Sequence, residues 1–258
     1  MDLGIRNHRF IVCGAGSGFG LAVAKALAAE GASVLAIARN ENNLKSLQSA
    51  AGSGIEILAG DITQSDTIKK LVGLAEQQEL HGILVNAGGP PAKMVMETTL
   101  EDWDNAYKNL LRWKVELTQA FVPKMTKQGY GRIVFIESSS VKQPLENLVL
   151  SNSLRLAATG FVKTLSNEIA RTGVTVNVLA PGSHDTGAVE RLYQKKSEQT
   201  GLPVEEIRKK AIASIPVGAL GDPADFATLA LWLMSPASRY VTGQTVSVDG
   251  GQIKSIFG

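Results

Sequence analysis

Short apolar runs rich in valine and isoleucine recur along the chain: Phe10–Val12, Val34–Ala38, Ile55–Leu58, Ile83–Val85, Ile133–Ile136, Val174–Leu179 and Thr245–Val248. They do not alternate cleanly with polar residues, so each predicts a strand buried on both faces. Between them, apolar residues return at three- and four-residue spacing, the mark of helices packed on a sheet. Leu21, Lys25 and Ala28 share one face of a first helix, with Ala24 and Leu27 beside them. Leu44 and Leu47 mark a second, and Ile68, Leu71, Val72 and Ala75 a third. A long fourth helix is expected from Leu100 to Lys127, broken or bent near Pro123, where the ring removes a backbone hydrogen bond. A fifth is expected from Leu154 to Ala170, and a sixth from Pro223 to Met234 with Asp222 as its N-cap.

Alternating strand and helix predicts a single α/β domain over residues 1–258. Its core is a doubly wound parallel sheet of about seven strands with helices on both faces. Residues 183–220 interrupt the rhythm with two polar helical stretches separated by Gly201-Leu202-Pro203. This insertion reads as a substrate lid, or alternatively as a solvated pair of surface helices.

Composition narrows the class. With 258 residues, 44% hydrophobic and 19% charged, the chain can bury a sizeable core, which excludes a disordered or collagen-like polymer. A net charge of +2 makes no demand for nucleic acid or an anionic membrane, and neither is expected as a partner. The one cysteine, Cys13, cannot form an internal disulfide, so a reducing, cytoplasmic location is expected. His8, His81 and His184 lack ligand spacing, and no metal site is expected. The first residues carry no apolar signal core, and the longest apolar run, Leu229–Met234, is too short to span a bilayer.

In a doubly wound sheet, ligands bind beyond the carboxyl ends of the strands. After the first run comes Cys13-Gly14-Ala15-Gly16-Ser17-Gly18-Phe19-Gly20. Such a loop lets the backbone approach a ligand closely, then opens a helix whose amides and dipole favour a pyrophosphate. Gly14, Ser17, Gly18, Phe19 and Gly20 are therefore nucleotide-binding candidates. The second run ends at Ala38-Arg39-Asn40, where a dinucleotide lacking the extra phosphate usually meets an acid. A guanidinium suits a 2′-phosphate, so Arg39 points to NADP(H) over NAD(H).

These motifs resemble the short-chain dehydrogenase/reductase family, specifically the group around 3-oxoacyl-acyl-carrier-protein reductases. The resemblance covers nearly the whole chain and implies a Rossmann-type fold. Gly14-x-x-x-Gly18-x-Gly20 matches the family's nucleotide loop, with Cys13 where threonine is usual. Asp61, followed by Ile62, matches the residue that holds the adenine, and Asn86-Ala87-Gly88 matches the family's Asn-Ala-Gly. Asn109 falls where the family's helix asparagine lies, and Pro181-Gly182 with Thr186 matches the segment on the nicotinamide side. Val248-Asp249-Gly250-Gly251 resembles the family's last strand.

The catalytic pattern departs from the family's. Ser138 takes the family's serine position, but the positions of Tyr-x-x-x-Lys fall on Ser151 and Arg155. Residues four beyond Tyr107, Tyr130, Tyr193 and Tyr240 are Leu111, Val134, Ser197 and Gln244, so the chain contains no Tyr-x-x-x-Lys at all. A phenol can be brought near neutrality by an adjacent cation, whereas an aliphatic hydroxyl is a far weaker acid. Arg155 can bind the nicotinamide ribose, but it does not titrate like lysine. The catalytic candidates are thus Ser138, Ser151, Arg155 and Asn109.

Three readings remain open. The first is a reductase whose proton comes through water held by Ser138, Ser151 and Arg155, or from Lys142, Tyr193 or His184. The second is an NADP(H)-binding sensor or scaffold without turnover, and the third a non-redox lyase or epimerase. The substrate is expected to be a small molecule or an acyl thioester, whose carrier the basic Lys209 and Lys210 could meet. The resemblance implies a homotetramer.

Overall fold

The computed structural model describes residues 2–76 and 78–256. Seven parallel strands form one sheet: β1 (Arg9–Cys13), β2 (Ser33–Ala38), β3 (Ile55–Ala59), β4 (Gly82–Val85), β5 (Gly131–Ile136), β6 (Val174–Pro181) and β7 (Thr245–Val248). Their order is β3-β2-β1-β4-β5-β6-β7. The direction of winding reverses between β1 and β4, which is where such folds open a crevice. Every residue of β1, β4, β5 and β6 is buried, including the polar Arg9, Arg132, Thr175 and Asn177 among their apolar neighbours.

Helices cover both faces. On one side lie α1 (Gly18–Ala29), α2 (Glu41–Ala51) and, far along the chain, α9 (Pro223–Leu233). On the other lie α3 (Ser65–Ala75), α5 (Trp113–Gln128) and α6 (Val149–Ile169). The short α4 (Leu100–Tyr107) leads into α5, and α7 (Gly187–Thr200) with α8 (Val204–Ala213) fills the insertion before α9. Asp222 caps α9 by accepting from the Ala224 amide at 2.8 Å. Among the described residues no helix is long and apolar enough to cross a membrane.

Three helix expectations need correction. The inward face of α1 is Gly20, Val23, Ala24 and Leu27, while Lys25 is exposed; the stripe through Lys25 places a charge where the core cannot hold one. The fourth helical run does not break at Pro123, which lies exposed within a continuous α5. It changes instead to a π-helical turn over Lys108–Arg112, where one extra residue is accommodated. Finally, α6 begins at Val149, five residues before Leu154. Its polar first turn is held by packing: Leu150 and Ser151 are buried, and Asn152 Nδ2 donates to the Leu145 carbonyl at 2.9 Å.

The amino ends of the strands are closed by an aromatic stack. His8 lies flat on His81 with ring centroids 4.0 Å apart, and Tyr130 meets both edge-on. His81 Nδ1 accepts from the Arg9 amide at 3.0 Å, a bond the imidazolium form cannot make. Burial, more than any neighbour, pushes both histidines below their ordinary pKa. The unfolded chain therefore binds more protons as pH falls below about 6.5, and stability is lost in that direction. The thermal midpoint should fall between pH about 7.5 and about 5.5, and His8→Phe should flatten that slope. An unchanged slope in the variant would sink this assignment.

Candidate active site

The glycine loop leaves β1 at Cys13 and enters α1 at Gly18. Gly14 has φ +67°, and a Cβ there would stand 2.7 Å from Asn86 Nδ2, so the loop and the end of β4 meet at the crevice. A Cβ on Gly20 would stand 2.2 Å from the Gly14 carbonyl oxygen, which ties the first turn of α1 to the loop. Asn43 Nδ2 donates to the Gly16 carbonyl at 3.0 Å, and the Ala15 amide to the Ile37 carbonyl at 3.0 Å. Ser17 is the N-cap of α1, yet its hydroxyl makes no capping bond. Phe19 packs away from the loop, against Phe226 and His184.

The neighbouring strand ends add the other nucleotide candidates. Arg39 is exposed just past β2, and Asn40 caps α2 by accepting from the Asn43 amide. Asp61, past β3, accepts from the amide and hydroxyl of Thr63 at 3.0 and 2.8 Å, while Ile62 is buried. Past β4, Asn86 and Ala87 are partly buried and Gly88 is open. Pro181 ends β6, and Gly182 is wedged against Asp249, beside the last strand. Thr186 caps α7, with its methyl 3.7 Å from a Cβ built on Gly18.

Ser138 lies two residues past the end of β5 and is partly buried; its hydroxyl accepts from the Ser140 amide at 3.1 Å. Ser151 and Arg155 lie one turn apart on α6, both buried, and Arg155 Nε donates to Ser151 Oγ at 3.1 Å. Arg155 Nη1 donates to the Glu137 carbonyl at 3.0 Å, to the Ile136 carbonyl at 3.4 Å and to Glu137 Oε2 at 3.1 Å. The guanidinium is thereby fixed to the backbone just before Ser138. Its Nη2 lies 3.5 Å from a Cβ built on Gly89, beside the turn after β4.

Asn109 is not joined to this group. It is exposed on the π turn, and its carbonyl accepts from Trp113 Nε1 at 2.9 Å. Of the other proton-source candidates, His184 is buried against Phe19 and Phe226, with its Nδ1 3.2 Å from the Gly182 carbonyl. Tyr193 is a buried residue of α7, and its burial raises its pKa, away from proton donation near neutrality. Lys142 lies partly buried just after the Ser139–Val141 turn.

Two residues of the cluster have no place among the sequence candidates. Glu137 has no exposed side-chain surface, and the Lys114 side chain, on α5, is 2% exposed. Lys114 Nζ donates to Glu137 Oε1 at 2.5 Å. Burial lowers the Lys114 pKa to about 8; Arg155 adds to the lowering and Glu137 opposes it. The available signal was Glu137 itself, because an acid at the end of a fully buried strand demands a cation.

A parallel sheet wound in both directions, with a glycine loop at its first turn and polar side chains at its carboxyl ends, defines the Rossmann-type class of α/β proteins. The family model described as enoyl-(acyl carrier protein) reductase matches residues 14–252. The 3-oxoacyl-[acyl-carrier-protein] reductase of Vibrio cholerae serotype O1 is 30% identical over 246 residues, covering 93% of this chain and 95% of that protein. The solved L-sorbose reductase of Gluconobacter frateurii, complexed with NADPH and L-sorbose, superposes with a TM-score of 0.93 at 26% identity, covering 99% of this chain and all of that one. An actinorhodin polyketide ketoreductase variant solved with NADPH gives 0.91 at 28% identity, covering 96% and 98%. The chain belongs to the short-chain dehydrogenase/reductase family.

Proposed function

We propose that the protein is an NADP(H)-dependent oxidoreductase that reduces a carbonyl group, with Ser151 and Arg155 standing where the family has tyrosine and lysine. The observation that carries this reading is the bonded group at the end of β5. Arg155 holds Ser151 and is anchored to the carbonyl of Glu137, the residue before Ser138. The relatives solved with NADPH support the cofactor.

The residues fit a dinucleotide. Gly14 and Gly20 let the loop pack tightly against Asn86 and against its own backbone, and the free Ser17 hydroxyl lies at a helix amino end. Exposed Arg39 would take the 2′-phosphate, Asp61 and Ile62 the adenine side, and Asn86, Ala87, Gly88, Arg155, Pro181, Gly182 and Thr186 the ribose and nicotinamide side. When bound, NADPH supplies a hydride. The chain's part is to hold the acceptor: the Ser138 and Ser151 hydroxyls donate to its carbonyl oxygen, and the Arg155 cation stabilises the negative charge that develops there. In this reading the proton comes from water held by Ser138, Ser151 and Arg155, the water being replenished from solvent.

A 3-oxoacyl thioester is the substrate favoured by the relatives; residues 183–220 are proposed as its lid, and a homotetramer in a reducing, cytoplasmic compartment as the working form. The absence of Tyr-x-x-x-Lys favours a second reading, an NADP(H)-binding protein without turnover. NADPH absorbance should be followed with 3-oxoacyl thioesters, small ketones and quinones. Substrate-dependent oxidation that falls by about 100-fold or more in Ser138→Ala is expected. In Arg39→Asp the preference should move towards NADH. Tight NADPH binding with no oxidation by any of these would favour the second reading.

A further inference from the structure

We propose that Glu137 and Lys114 are positioning residues of this site: with Arg155 they form a buried ion cluster that locks the guanidinium with Nε on Ser151 and Nη2 towards the turn after β4. The inference rests on the reading of Ser138, Ser151 and Arg155 as the reaction centre. The Glu137 carboxylate bridges the two cations, with Oε1 taken by Lys114 at 2.5 Å and Oε2 by Arg155 at 3.1 Å. Side-chain exposure is 0% for Glu137, 2% for Lys114 and 10% for Arg155. A buried cluster of this kind is a weak source of stability, because apolar side chains of similar volume do as well or better. What it supplies is orientation. Carboxylate and backbone carbonyls engage Nη1, Ser151 engages Nε, and the remaining Nη2 lies beside Gly89, after β4.

The cluster also sets a charge. With Lys114 protonated it carries two cations and one anion, and without that proton it is neutral. The ionisable groups that face Lys114 are Glu137 from the end of β5 and Arg155 from α6. An oxyanion forming at Ser138 and Ser151 is stabilised by the positive cluster and less so by the neutral one. Turnover should therefore fall as pH rises through about 8, the value to which Lys114 is lowered.

The test compares the full-length wild type with Lys114→Met/Glu137→Leu, which removes one charge of each sign and keeps the cluster at one net positive charge. Two readouts are taken on protein of matched thermal midpoint. The first, independent of activity, is hydrogen exchange of the Arg155 Nε–H, followed by nitrogen-15 NMR and assigned with Arg155→Lys. Exchange should be slow in the wild type and about tenfold or more faster in the double variant. The second is NADPH oxidation across pH. The double variant should lose about tenfold or more in kcat, change KM for NADPH far less, and lack the alkaline fall. Unchanged exchange, or an unchanged kcat and pH profile in the folded variant, overturns the proposal. A wild type that oxidises NADPH with no carbonyl refutes the proposed activity instead, and the exchange readout then decides the positioning claim alone.

Discussion

Glu137→Ala should destabilise the protein by about 3–5 kcal/mol, the usual cost of removing one partner from a buried ion pair. The mutation leaves Lys114 and Arg155 facing each other with no anion between them and almost no access to water. Whole domains are stable by only about 5–15 kcal/mol, so this one change takes a large share of the margin. Urea denaturation at neutral pH measures it directly. Part of the loss should be recovered at alkaline pH, because burial lowers the Lys114 pKa and the variant lacks the Glu137 carboxylate that opposes the lowering, so the neutral amine is within reach. A loss below about 1 kcal/mol would mean that water or another group already compensates the two cations.

The second large effect is expected at Gly20. A Cβ at that position would stand 2.2 Å from the carbonyl oxygen of Gly14 and 2.6 Å from its carbonyl carbon. Both obstacles are backbone, so no side chain can move aside. Either the amino end of α1 or the glycine loop must give way, at about 1–3 kcal/mol of overpacking. The displaced amides are those the proposed NADP(H) site would offer to the pyrophosphate. NADPH affinity should therefore drop by about 100-fold or more in Gly20→Ala, close to 3 kcal/mol. Fluorescence titration reads this, with circular dichroism showing that the fold persists. An affinity within about twofold of wild type would show that the loop does not carry the nucleotide.

Most of the fold is legible in the sequence for a simple reason. Strands buried on both faces are mostly apolar, so Ile133–Ile136 announces itself without partners, and Val174–Leu179 does so through its valines although buried Thr175 and Asn177 interrupt the run. Ends and bends are less visible because tertiary contacts decide them. Ser151, Asn152 and Ser153 look like a loop, yet packing of Leu150 and the bond from Asn152 to Leu145 make them the first turns of α6. The π turn before Trp113 has no local signature, and Pro123 reads as a break although α5 runs through it.

The candidate site shows the same division. Glycines and strand-end residues are readable by position, because the geometry of the loop dictates them. Lys114 is not. In a helical pattern a lysine signals a solvated face, and only the fold brings this one opposite Glu137. Asn109 illustrates the converse: its sequence position suggests a role that its exposed side chain does not join.

Cys13 lies at the end of β1, wholly buried beneath the glycine loop, and burial pushes its thiol up to about 12. A thiol with that acidity and no access is inert to alkylating reagents while the loop is closed. It is also the only cysteine in the chain. The native protein thus carries a single-site reporter: each labelling event counts an opening of the sheet around the end of β1, and its rate measures how often that part of the molecule comes apart.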